Sequence, residues 1–209
     1  MMKIILLGGF LGSGKTTVLL RLAADLLSDA PMSDSAESAA PPIGSVRVMI
    51  IENEIGDIGI DDKILRNQGL QVRELFSGCA CCTSGGDLLQ DIDRIYREIN
   101  PEWLIIEATG VAYPRAIRDK ITELFDLRVK ILAIADAERW KRLQNAMSEL
   151  ISAQLDGADV ILLNKTDTID SDSADELVSE ITAINPAAEI HKVSAKYKNI
   201  SSEIRRILL

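Results

Sequence analysis

Nine residues, Gly9-Phe10-Leu11-Gly12-Ser13-Gly14-Lys15-Thr16-Thr17, stand between an apolar run, Ile4-Ile5-Leu6-Leu7, and an apolar period of helical spacing. They satisfy G-x-x-x-x-G-K-[ST] at every fixed position. A strand that turns through glycines into a helix aims successive backbone N–H groups at one point. The helix dipole adds to the field there, so such a turn binds phosphate. Lys15 is placed to reach the β- and γ-phosphates as a point charge, and the Thr16 hydroxyl to take a position on Mg²⁺. Gly9, Gly12, Ser13, Gly14 and Thr17 complete the cradle. A chance glycine turn is the plain alternative, but it has no reason to be bracketed by a strand and a helix.

The rest of the chain alternates in the same way. Strands are expected at Lys3–Leu7, Val46–Glu52, Gln71–Leu75, Trp103–Glu107, Val129–Ala135, Val160–Leu163 and Glu189–Val193. Helices are expected at Lys15–Leu27, Asp62–Asn67, Gly86–Ile99, after Pro114, at Glu138–Leu155 (burying Trp140, Leu143, Met147, Leu150 and Ile151) and Ser173–Ile184, and around Ile200, Ile204, Ile207 and Leu208. Crossover helices make the sheet mainly parallel and cover both faces. The fold class is therefore α/β, a P-loop NTPase. The 209 residues suit one domain, 1–209. Residues 28–45, rich in Ser, Ala, Pro and Asp, read as a flexible surface insertion. Hydrophobic residues make up 47 % and aromatics 4 %, which gives an aliphatic core of strands buried on both faces. The net charge of −9 argues against nonspecific partners that are nucleic acid or anionic membrane. No apolar run spans a bilayer, the first strand leaves no room for a leader, and three cysteines in four positions cannot frame a disulfide scaffold. A cytoplasmic protein is expected.

Asn164-Lys165-Thr166-Asp167 follows a buried strand. An aspartate there accepts two hydrogen bonds from the N1–H and 2-amino group of guanine, a donor pair that adenine lacks. A site built for such a pair rejects the analogue by orders of magnitude. Asn164 would tie the base to the phosphate loop, and the Lys165 stem would stack over it. An ordinary polar turn is the alternative. Ser194-Ala195-Lys196, at the last strand's end, fits a backbone contact to the guanine oxygen. In Glu107-Ala108-Thr109-Gly110, Glu107 can hold Mg²⁺ through water or orient the attacking water. The Gly110 N–H can sense the γ-phosphate and move when it leaves. The bland reading is a carboxylate capping a turn. Asp57 or Asp61 can add a second carboxylate near Mg²⁺. Asp136, at another strand end, is as readily a structural turn as a functional group.

Gly78-Cys79-Ala80-Cys81-Cys82 carries different chemistry. Thiolates bind Zn²⁺ at about 2.3 Å in a tetrahedral shell. Three thiolates from one loop leave a fourth position for Glu54, water or a partner protein, which suits a site that must release its metal. Inert buried thiols and a redox cluster remain open alternatives. The only histidine, His191, reads as a packed or surface residue rather than a ligand.

The set Gly9–Thr17, Asn53-Glu54-Ile55-Gly56-Asp57, Gly78–Cys82, Glu107–Gly110 and Asn164–Asp167, in that order, resembles the GTPase domain of CobW-type metallochaperones, relatives of HypB and UreG. The resemblance covers nearly the whole chain. It implies a SIMIBI-type GTPase that binds GTP or GDP with Mg²⁺ and couples slow hydrolysis to binding and delivery of a transition metal. Zn²⁺ is the first choice, with Co²⁺ and Ni²⁺ open. Lys15 and Thr16 then serve phosphate and Mg²⁺, Glu107 is the switch carboxylate, and Asn164, Lys165 and Asp167 take guanine. Glu54, Cys79, Cys81 and Cys82 fall at the internal metal positions. The implied partners are a client metalloprotein or cofactor-assembly protein and a GTP-dependent second copy. Asp57 stands where Glu is usual and Ile55 where Phe is usual. The expectation is a GTPase domain alone, without the family's C-terminal domain or histidine-rich stretch. The rivals are a non-catalytic GTP- and metal-dependent regulatory module and an ATP-using phosphotransferase of the same fold.

Overall fold

The computed structural model describes residues 2–28, 46–52, 70–74 and 86–196. The expected Asp62–Asn67 helix, the closing helix, most of the 28–45 insertion, and Glu54, Asp57, Asp61, Cys79, Cys81 and Cys82 lie outside the described residues.

The first strand, β1 (Lys3–Gly9), runs into α1 (Lys15–Ser28). There follow β2 (Val48–Glu52), β3 (Leu70–Glu74), α2 (Gly86–Arg94), β4 (Trp103–Glu107), α3 (Pro114–Phe125) and β5 (Val129–Asp136). The described chain ends with α4 (Trp140–Leu155), β6 (Val160–Asn164), α5 (Ser171–Ile184) and β7 (Glu189–Lys192). All seven strands join one sheet in the order β3-β2-β4-β1-β5-β6-β7, and every ladder is parallel.

Burial on both faces explains why β1 is uniformly aliphatic rather than alternating. Its side chains still alternate between two cores. Ile4 and Leu6 pack with Leu104, Ile106 and Ile131, while Ile5 and Leu7 pack with Ile105, Leu132 and Ile134. The α1 stripe of Val18, Leu19, Leu22 and Leu26 closes the second core. Each such side chain stabilises the fold by about 1.5–3 kcal/mol when fully buried. Residues of α2, α3, α4 and α5, among them Ile92, Ile121, Trp140 and Leu177, close the first.

Parallel ladders put the C-terminal ends of the strands on one edge. Gly9, Glu52, Glu74, Glu107, Asp136 and Asn164 therefore end their strands along one line, where ligands bind in open α/β sheets. Three local details differ from the sequence reading. The helix expected to reach Ile99 widens into a π-helical turn over Ile95–Ile99 and stops at Asn100, whose φ is 46°. α4 starts at Trp140 because the Asp136 carboxylate accepts the Arg139 N–H at 3.2 Å, closing a turn ahead of it. Met147, expected in the core, is 44 % exposed, because the helix kinks there at φ −146° and ψ 43°.

Candidate functional site

β1 gives way to helix through a loop whose glycines take positive φ: 136° at Gly9, 72° at Gly12 and 97° at Gly14. At Gly14 a Cβ would also lie 2.5 Å from Asn164 Nδ2, so the close approach of the two segments requires glycine. Ser13 N–H donates to the Phe10 carbonyl at 3.1 Å, and Val18 N–H to the Gly14 carbonyl at 3.0 Å, where the helix begins. Lys15 is only 4 % exposed and folds back so that Nζ meets the Phe10 carbonyl at 3.4 Å. Thr16 Oγ1 donates to Glu107 at 3.2 Å (Oε1) and 3.4 Å (Oε2). A hydroxyl facing a buried carboxylate beside a phosphate cradle is a hard-oxygen donor set, which fits Mg²⁺. Gly110 abuts the loop from the other side. A Cβ there would meet Leu11 N at 2.7 Å.

The base-binding candidates are stitched to the phosphate loop. Asn164 is buried; its Nδ2 donates to the Ser13 carbonyl at 2.8 Å and its Oδ1 accepts Ala195 N–H at 2.9 Å. Ser194 Oγ donates to Asp167 Oδ1. Thr166 donates to the Val193 carbonyl through Oγ1 at 2.9 Å and through N–H at 3.2 Å. Ser194 and Ala195 thus hold Asp167 and Asn164 in place, and the Ala195 N–H, a candidate for the guanine oxygen, is engaged by Asn164. Lys165 sits at φ 65°, and its ammonium meets Asp136 at 2.8 Å.

Two residues at this edge carry no sequence signal. Arg139 donates from Nε to Asp136 at 2.6 Å and from Nη2 to the Leu11 carbonyl at 2.7 Å. Gln154, buried in α4, donates to the Gly110 carbonyl. Burial pushes the Asp136 carboxyl up. The hydrogen bonds and charges of Lys165 and Arg139 outweigh that and hold it below its ordinary 3.8.

The fold thus gathers Gly9, Gly12, Ser13, Gly14, Lys15, Thr16, Glu107, Gly110, Asn164, Lys165, Asp167, Ser194 and Ala195 on one sheet edge. Thr17 is exposed in the first turn of α1. His191, inside β7, lies 3.2 Å from Glu189. Among the described residues no three His, Cys, Asp or Glu side chains cluster as a metal site, and no helix is long and apolar enough to cross a membrane.

Comparison with known proteins gives a consistent set. A family model described as CobW/HypB/UreG, nucleotide-binding domain, matches residues 3–192. The zinc chaperone YeiR of Escherichia coli (strain K12) is 33 % identical over 177 residues, which cover 82 % of this chain and 49 % of that protein. The zinc chaperone YjiA of the same strain is 29 % identical over 206 residues, covering 91 % and 57 %. The crystal structure of the Zn(II)-bound YjiA GTPase from E. coli superposes with a TM-score of 0.63 at 25 % identity, over 96 % of this chain and 59 % of that one. The chain spans about half the length of the curated relatives it matches.

Proposed function

The chain belongs to the CobW/HypB/UreG nucleotide-binding-domain family, and from that premise we propose that it is a GTP-hydrolysing metallochaperone, in which nucleotide state controls binding and delivery of a transition metal. The observation that carries the reading is the meeting of distant segments at one edge. Thr16 meets Glu107 across 91 positions of sequence, and Ser13 meets Asn164 across 151. That meeting supports a single ligand with phosphate, magnesium and base at this edge.

GTP is the substrate. The loop N–H groups and Lys15 hold its β- and γ-phosphates, and Asp167 accepts from the guanine N1–H and 2-amino group. Mg²⁺, held by Thr16 and by Glu107 directly or through water, with Asp57 as a second carboxylate, would neutralise charge on the phosphate oxygens. Glu107 orients the attacking water. Its oxygen bonds to the γ-phosphorus as the bond to the β–γ bridging oxygen breaks, leaving GDP and inorganic phosphate. Gly110 contacts the γ-phosphate through its N–H and relaxes once phosphate leaves.

The metal is cargo, taken by Cys79, Cys81, Cys82 and Glu54. Zn²⁺ is favoured by the zinc chaperones among the relatives, and thiolates also accept Co²⁺ or Ni²⁺. Reach supports coupling. Glu54 follows the end of β2 by two residues and Cys79 the end of β3 by five. Both strands end on the sheet edge that carries Glu107. Chain segments anchored at the nucleotide edge can transmit loss of the γ-phosphate as a change in metal affinity. A client metalloprotein, or a second copy of the chain, would receive the metal.

The test is a Zn²⁺ titration with GDP and with a nonhydrolysable GTP analogue, repeated for Cys81→Ala. At least a tenfold difference in affinity between the two nucleotide states is expected, and it should vanish in the variant. Equal affinities in the parent chain would remove the coupling.

A further inference from the structure

We propose that Asp136 is a positioning residue that joins the base-binding turn to the phosphate loop, holding Lys165 directly and the Leu11–Gly12 peptide through Arg139. The inference rests on the nucleotide-binding reading above.

The Asp136 side chain is fully buried at the end of β5. Its Oδ2 accepts from Lys165 Nζ at 2.8 Å and from Arg139 Nε at 2.6 Å, and its Oδ1 accepts Arg139 N–H at 3.2 Å. Arg139 then reaches across 128 positions of sequence to the Leu11 carbonyl, 2.7 Å from Nη2. A lone capping turn would need only the backbone bond. Here a buried carboxylate collects two cations, and each belongs to a different part of the nucleotide site.

Peptide geometry gives that contact its consequence. In a trans peptide the C=O and N–H point in opposite directions, and no peptide among the described residues is cis. Pinning the Leu11 carbonyl therefore fixes the direction of the Gly12 N–H, one of the donors expected to face phosphate. Asn164 does the same for the next peptide but one, since its bond to the Ser13 carbonyl fixes the Gly14 N–H. The guanidinium also lies against Gly12, where a Cβ would come within 3.0 Å of Nη2 and φ is 72°. Both pins on the loop thus originate at the base end of the site. Asp136 supplies the second, and at the same time fixes the ammonium of Lys165 and so the path of its stem.

The experiment measures GTP affinity, KM, kcat and thermal midpoint for the full chain and for Asp136→Asn, Arg139→Met, Arg139→Lys and the Asp136→Asn/Arg139→Met pair. Asp136→Asn should weaken GTP binding about tenfold and Arg139→Met about threefold, with kcat within twofold, because a positioning group acts on ground and transition states alike. The pair should bind no more weakly than Asp136→Asn alone, since both changes cut one bridge. Lysine at 139 keeps the charge but cannot span Asp136 and Leu11 together, so Arg139→Lys should behave as Arg139→Met. Additive effects, full rescue by lysine, or GTP binding within twofold of the parent would each overturn the inference. If Asp136→Asn does not fold, the two variants at the partly exposed Arg139 decide alone. ATP binding to the parent as tight as GTP binding would sink the guanine reading instead, and the bridge would still be judged with the nucleotide that binds.

Discussion

Asn164→Ala removes two buried hydrogen bonds at once, to the Ser13 carbonyl at 2.8 Å and from Ala195 N–H at 2.9 Å. Each bond contributes about 1 kcal/mol net, and buried partners left unsatisfied raise the loss, so the fold should lose about 2–4 kcal/mol. For a chain of this size the thermal midpoint falls about 2–4 °C per kcal/mol. The fold contains its own control. Asn185 is also buried and makes three comparable bonds, to the Leu155 carbonyl at 2.8 Å, to the Ala158 carbonyl at 3.1 Å and from Ala187 N–H at 3.2 Å, all at the C-terminal end of α5. Asn185→Ala should therefore destabilise by a similar amount and leave the nucleotide alone. Asn164→Ala frees the Ser13–Gly14 peptide as well, and should weaken a fluorescent GTP analogue about 10- to 100-fold, while Asn185→Ala stays within twofold. Urea unfolding and equilibrium titration read the two quantities separately. If both variants lose the same stability and the same affinity, Asn164 is only a structural amide and the convergence of base and phosphate on it means nothing.

Three shorter predictions probe the other flank and the buried carboxylate. Glu107→Gln keeps an acceptor for Thr16 but removes the charge, so single-turnover GTP hydrolysis should fall about 100-fold or more with GDP affinity within threefold; an unchanged rate would exclude Glu107 from the chemistry. Gly110→Ala drives a Cβ to 2.7 Å from Leu11 N, and titration should give at least a tenfold loss of GTP-analogue affinity relative to GDP. Asp136 has a folded pKa below its ordinary 3.8, so its contribution is fully present above that value and is lost as pH falls through the lower folded value. The stability gap between the parent and Asp136→Asn should be constant from pH 7 to about pH 4 and close on further acidification, as followed by thermal melts across pH.

Where local chemistry fixes the outcome, the fold was legible. β4 spans Trp103–Glu107 as expected, because Pro101 stops the preceding segment and the aliphatic run ends at a carboxylate. The phosphate loop was legible because three of its positions need φ values that side chains resist. Boundaries drifted where several residues compete for one role. In Asp170-Ser171-Asp172-Ser173 any residue can cap, and the structure selects Asp170, which accepts Ser173 N–H at 2.8 Å and starts α5 two residues early. Met147 was misplaced because helical periodicity assumes a straight helix. Arg139 and Gln154 were invisible for a different reason. Each donates to a backbone carbonyl, 128 and 44 positions away, and a carbonyl has no residue identity for a pattern to match.

These long-range carbonyl contacts divide the described part of the site into two regions. At the base end the phosphate loop is pinned twice, by Asn164 on Ser13 and by Arg139 on Leu11, and each pin is buttressed in turn by Ala195 or by Asp136. At the γ-phosphate end the described residues meet in a different way. Thr16 meets Glu107 at 3.2 Å, Gly110 rests against Leu11 by close packing, and its carbonyl accepts one neutral bond from Gln154. Releasing that bond costs about 1 kcal/mol, a small sum beside the difference between contacting a charged γ-phosphate and losing it. On the function proposed above, such a site would keep guanine and the β-phosphate fixed while the Glu107–Gly110 segment answers to the γ-phosphate. That is the asymmetry a nucleotide timer needs, because a loop that moved as a whole on hydrolysis would release GDP before any signal reached the segments that follow β2 and β3.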